Sequence, residues 1–107
     1  MEKKLQNQKA IFFTVFHEAR EELGLGIMEY AVADTIAHLS ANPNNAAGGW
    51  CYMKKESMAK MLGITRQKIY NILKVLIDKK LIERDTTTGY LRPMTRWITV
   101  AVEPYRI

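Results

Sequence analysis

The chain has 107 residues, 48% hydrophobic and 25% charged, which suits one globular domain over 1–107 and excludes a wholly disordered chain. Its formal net charge of +5 favours a polyanionic partner without choosing among DNA, RNA and an anionic membrane surface. The single cysteine, Cys51, excludes an intrachain disulfide and a cysteine-rich zinc site, and no apolar run approaches the roughly 20 residues that span a bilayer.

Met1-Glu2-Lys3-Lys4-Leu5 leads into polar sequence and not into a hydrophobic signal core, so a cytoplasmic protein is expected, with no membrane partner. Residues 1–9 are expected to be flexible. Ala10 to Phe16 is rich in β-formers and reads as a short N-terminal strand, with a helical turn as the alternative. Residues 17–24 suit a short helix or a loop. Over 26–40, Met28, Val32, Ile36 and Leu39 form one apolar stripe, and Tyr30, Ala31, Ala33 and Ala37 add apolar surface on other sides. Such a helix is either central to the fold or buried against a second copy, which makes a homodimer one expectation. Asn-Pro, Asn-Asn and Gly-Gly mark 40–49 as a loop, and Trp50 to Met53 reads as a very short strand. Helices are predicted over 55–62 and 65–79, separated by Gly63-Ile64. From Leu81 to Val102 the sequence alternates well enough for strands, with a turn at Asp85 to Gly89 and an interruption at Pro93.

The informative stretch is KESMAKMLGITRQKIYNILK, residues 55–74. Met58, Leu62, Ile64, Ile69 and Ile72 have the spacing that two crossed helices need to share a core. Ala59 is small where the helices approach, Gly63 suits a left-handed turn, and Thr65 is placed to cap the second helix. That helix divides into an apolar side (Ile69, Ile72, Leu73, Leu76) and a polar side (Gln67, Asn71, Lys74, Asp78), with Tyr70 flanking and Arg66 at its start. Charge is concentrated here: residues 54–80 hold eight Lys/Arg and two Asp/Glu, net +6, against net −2 before them (four and six) and net +1 after them (four and three).

These positions resemble the helix-turn-helix motif of DNA-binding proteins. With Leu81-Ile82-Glu83-Arg84, a Thr/Gly turn and Tyr90-Leu91-Arg92 following, they resemble the winged helix-turn-helix family over about residues 26–100. The resemblance implies an α+β fold, with a three-helix core, a helix-turn-helix at 55–79 and a C-terminal β-hairpin wing within 81–100 that pairs with Trp50-Cys51-Tyr52. It implies sequence-specific binding of double-stranded DNA, with Thr65, Arg66, Gln67, Tyr70, Asn71 and Lys74 facing bases in the major groove. Lys54, Lys55, Lys60 and Lys68, and on or near the wing Arg84, Thr87, Arg92 and Arg96, are then phosphate contacts. More narrowly, the helix, the Gly-Gly-Trp loop, Lys-Glu-Ser-Met and Leu-Gly-Ile-Thr look like small winged-helix proteins of bacterial mobile elements and phages, some replication initiators and some transcriptional regulators. Two positions depart from the pattern. Lys54 stands where a Ser or Thr cap is common, and Lys80 where a glycine commonly follows the second helix.

Other residues read more plainly. Cys51 is expected as a small buried hydrophobe, Asp34 and His38 as a surface pair, Trp50 and Trp97 as sheet anchors, and the methionines as core. The Lys79-Lys80 pair matches the helix dipole. No phosphate loop, paired catalytic carboxylates or Ser/His/Asp set is present, so neither an enzyme nor a cofactor is expected. The rival functions are a winged helix used for protein–protein contact, and single-stranded nucleic acid binding on Trp97, Tyr90 and Tyr52.

Overall fold

A computed structural model describes residues 14–106 of the chain. Among the described residues, four helices precede the strands: α1 (His17–Leu23), α2 (Ile27–Ala41), α3 (Lys55–Leu62) and α4 (Arg66–Asp78). Two short strands follow, β1 (Ile82–Arg84) and β2 (Leu91–Pro93). A one-turn helix α5 (Thr95–Trp97) then runs through a π-helical stretch (Ile98–Val102) into a 3-10 turn (Glu103–Tyr105). The class is α+β. The strands are antiparallel, with Ile82 opposite Pro93, Glu83 opposite Arg92 and Arg84 opposite Leu91.

α2 starts where Glu29 reaches back to accept the Gly26 N–H at 2.8 Å. Tyr30, Ala31, Val32, Ala33 and Ile36 are all buried, between β2 on one side and α4 on another. The small Ala31 and Ala33 let those neighbours come close. The middle of the helix is apolar on several sides because it lies at the centre of the chain's own core, so those buried residues need no second copy to cover them.

α3 and α4 are joined by the tight turn that the sequence predicts. Gly63 adopts φ 71, its N–H donates to Lys60 O, and the Ile64 N–H donates to Ala59 O. That left-handed geometry suits a residue without Cβ. The Thr65 hydroxyl caps α4 by accepting the Lys68 N–H at 3.1 Å, whereas Lys54 gives α3 no side-chain cap. Met58 and Ala59 of α3 and Ile69, Ile72, Leu73 and Leu76 of α4 are buried in the shared core. α4 ends with Lys80 at φ 60, the left-handed slot held by a residue with a Cβ. The Leu81 N–H returns to Leu76 O, and the Leu81 side chain is buried.

Several expectations change. The N-terminal strand lies mostly outside the described residues, and residues 14–16 are irregular ahead of α1. The strand at Trp50 to Met53 shrinks to a single bridge, in which Cys51 and Leu91 exchange backbone hydrogen bonds. The helical core is larger than three helices, since α1 packs on the π-helical stretch. The hairpin closes at Pro93, so the wing range 81–100 shortens and residues 95–105 are helical. Pro93 has no N–H to extend a ladder. Beyond it, Trp97, Val100 and Ala101 are buried at helical spacing, and this packing overrides the β-preference of Ile98-Thr99-Val100. Trp97 therefore anchors a helix and not the sheet, with its ring 4.9 Å from that of Tyr30.

Candidate nucleic-acid interface

The polar side of α4 is open. Arg66, Gln67, Tyr70, Asn71 and Lys74 are exposed, while Ile69, Ile72, Leu73 and Leu76 hold the helix from behind. Gln67 Nε2 donates to Asn71 Oδ1 at 3.1 Å, so these two amides stand side by side one turn apart. Arg66 donates to Glu56 Oε1 at 3.1 Å and to the Tyr70 hydroxyl at 3.3 Å, with its guanidinium 5.5 Å from the Tyr70 ring centre. Thr65 is exposed, but its oxygen is engaged as the helix cap.

The hairpin flanks this face. A groove of about 520 Å³ runs between them, with Tyr70, Leu73, Lys74 and Ile77 on one wall and Ile82, Arg84 and Thr86 on the other. Lys55 also lines it, and its ammonium donates to Gly89 O at 3.2 Å, tying α3 to the hairpin turn. The turn is ordered by Asp85, which accepts from the Thr87 N–H and the Thr88 hydroxyl; these bonds, the first above all, hold its carboxyl below the usual range.

The phosphate-contact candidates divide. Lys54, Lys60, Lys68, Arg84 and Thr87 are exposed and Lys55 is half-buried. Arg92 is turned elsewhere: it donates to Glu83 at 2.6 Å and lies 4.2 Å over the Trp50 ring, beside a depression lined by Ser40, Gly49 and Ile98. Arg96 sits in α5, past the hairpin, and neither arginine lines the groove. Arg92 stands on β2 itself but points away from the groove, whereas only a longer strand region would bring Arg96 to the hairpin.

Three features escape a reading of the sequence. Glu56 lies against Arg66 although the two are ten residues apart, a pairing with no local signal. Tyr70 joins Tyr52 and Tyr90, whose ring centres are 6.2 Å apart, although the sequence groups only the latter two, with Trp97. Asp34 is no surface residue: its side chain is only 13% exposed, whereas that of His38 is 71% exposed. Its Oδ2 lies 3.2 Å from His38 Nδ1, but that nitrogen is also 3.0 Å from the Asp34 carbonyl oxygen, and Oδ2 makes no hydrogen bond. Burial pushes the Asp34 carboxyl up, against a smaller opposing pull from His38. Burial likewise pushes the Cys51 thiol up, which suits an inert core residue. Of the methionines, Met58 is in the core and Met61 is exposed. Among the described residues, no helix is long and apolar enough to cross a membrane. No protein-family model, curated protein or solved structure matches the chain.

Proposed function

We propose that the chain is a winged helix-turn-helix protein that binds double-stranded DNA sequence-specifically. In this reading it is a transcriptional regulator or a replication-initiation factor. The observation that carries the reading is α4 itself. One flank is locked by Ile69, Ile72, Leu73 and Leu76, and the other presents Arg66, Gln67, Asn71 and Lys74 beside a hairpin. A helix seated in the major groove needs this division, because side chains reading base edges must be aimed by a rigid scaffold. The forked donors suit base recognition, since Arg66 matches the acceptor pair of guanine, and Gln67 or Asn71 the donor–acceptor pair of adenine. The Gln67–Asn71 bond holds both amides in place until a base edge replaces it. Thr65 keeps its hydroxyl proton as a donor while capping the helix.

Phosphates fall to the surrounding cations. Lys54, Lys60, Lys68 and Arg84 are exposed and carry this role, with Lys55 divided between phosphate and the Gly89 carbonyl. Arg92 and Arg96 are exposed but lie off the groove, so any phosphate they meet would be outside it. Counterion release then dominates affinity, so binding falls steeply with added salt.

Titrations of labelled duplexes, one selected from a random pool and one scrambled, test the reading. Asn71→Ala is expected to lose about 1–3 kcal/mol of preference for the selected site, with little change on the scrambled one. Lys60→Ala is expected to weaken both alike and to reduce the salt slope by about 1. Lys60 is the cleaner probe, since Lys55→Ala also unties the hairpin. If the intact protein shows no salt-sensitive retention on duplex DNA, the reading fails and a protein–protein role takes its place.

A further inference from the structure

Beside the groove lies a second concavity, a notch of about 360 Å³ between the segment before α3, the start of α4 and the hairpin turn. Tyr52, Tyr70 and Tyr90 all line it and are all substantially exposed, at 53%, 42% and 36%. Lys54, Lys55 and Arg66 line it as well, with Glu56 as its one carboxylate. Arg66 is paired with Glu56, and Lys55 gives one of its three donors to Gly89, so cationic capacity remains. We propose that this notch holds an unpaired nucleotide next to the duplex seated on α4, so that the preferred ligand is DNA with a junction between paired and single strands.

The chemistry follows from what each form of DNA offers. A paired base shows only its edges, since its faces are covered by its neighbours in the stack. Exposed tyrosine rings cannot stack on it. An unpaired base offers a free face, and stacking on an aromatic side chain is indifferent to which base it is. The Tyr52 and Tyr90 rings are tilted by 53° with centres 6.2 Å apart, too oblique to sandwich a base between them. One face therefore takes the base, and the ammonium of Lys54 or Lys55 takes the attached phosphate. Trp97, fully buried against Tyr30, has no part in such a platform.

The inference rests on the duplex-binding reading, and one experiment separates their failures. Full-length protein is titrated by fluorescence anisotropy with a blunt duplex, the same duplex carrying a short unpaired arm, and the arm alone. Separately, 2-aminopurine is placed at the first unpaired position. The forked ligand is expected to bind ~10-fold tighter than the blunt one, as stacking of one base allows, with quenching of the 2-aminopurine. Tyr52→Ser/Tyr90→Ser is expected to abolish that preference and keep blunt-duplex binding, with thermal melting confirming its fold. The 2-aminopurine signal on the unaltered protein stands whether or not the variant folds. Equal affinity for blunt and forked DNA without quenching overturns the notch and leaves the duplex reading intact. An unchanged fork preference in the folded variant also overturns the notch. Binding to none of the three ligands overturns both readings.

Discussion

In the middle of α2 burial runs around the full circumference, through Tyr30, Ala31, Val32, Ala33 and Ile36, whereas along α4 it stops at one stripe and leaves Arg66, Gln67, Tyr70, Asn71 and Lys74 bare. Both are regular helices of similar length, Ile27–Ala41 and Arg66–Asp78. The difference lies in their side chains. Alanines at 31 and 33 allow neighbours to close on α2 from two sides, while the long polar groups of α4 keep one side in water. A small domain has one core, and an element enclosed at its centre requires others left half-covered around it. The half-covered helix is where a ligand can be met without undoing the fold.

The comparison can be broken most decisively from the core. Ile36→Ala in α2 and Leu76→Ala in α4 remove fully buried side chains and are each expected to lower stability by about 2–5 kcal/mol in chemical denaturation. A much smaller loss at Ile36 would mean that α2 is not the hub. Asp34→Asn tests the one charge enclosed on α2, with an effect smaller than either truncation. Its folded carboxyl titrates above the ordinary value of 3.8, so the folded state holds the proton more tightly. That preference favours folding at low pH and is lost as pH rises through the shifted value. Asp34→Asn should therefore raise the melting temperature at neutral pH, and the gain should vanish on acidification below the ordinary value.

The ends of α4 give finer tests. Thr65→Ala removes the cap accepted from the Lys68 N–H, at a cost of ~1 kcal/mol in the same denaturation assay. Lys80→Gly relieves the left-handed strain at φ 60 and should raise stability by up to ~1 kcal/mol. The smallest effect belongs to the bare face: Asn71→Ala should stay within ~0.5 kcal/mol of the parent in stability while changing DNA preference. Destabilisation by Asn71→Ala as large as that by Leu76→Ala would show the polar face of α4 to be structural.

The pair α3 and α4 and the turn between them were legible because their signals are local. Gly63 in the turn, Thr65 as cap, the strain at Lys80 and the division of α4 into two faces all arise within one or two helical turns. The C-terminal stretch was not legible for the opposite reason. Ile98-Thr99-Val100 prefers a strand by itself, and only burial of Trp97, Val100 and Ala101 makes it helical. Asp34 also misled, because a carboxylate four residues from a histidine looks the same on any helix until its neighbours are known.

Composition and spacing alone determined where the basic charge sits, which helix is amphipathic and how α3 turns into α4, since each depends on near neighbours in the chain. Tertiary structure decided what no local pattern encodes. It turned Arg92 onto Trp50 and Glu83, buried Trp97 under α2, and brought Tyr52, Tyr70 and Tyr90 to one notch. Those outcomes depend on where the hairpin docks against α4 and the segment before α3, and contacts between residues so distant in sequence form only when the whole core has packed.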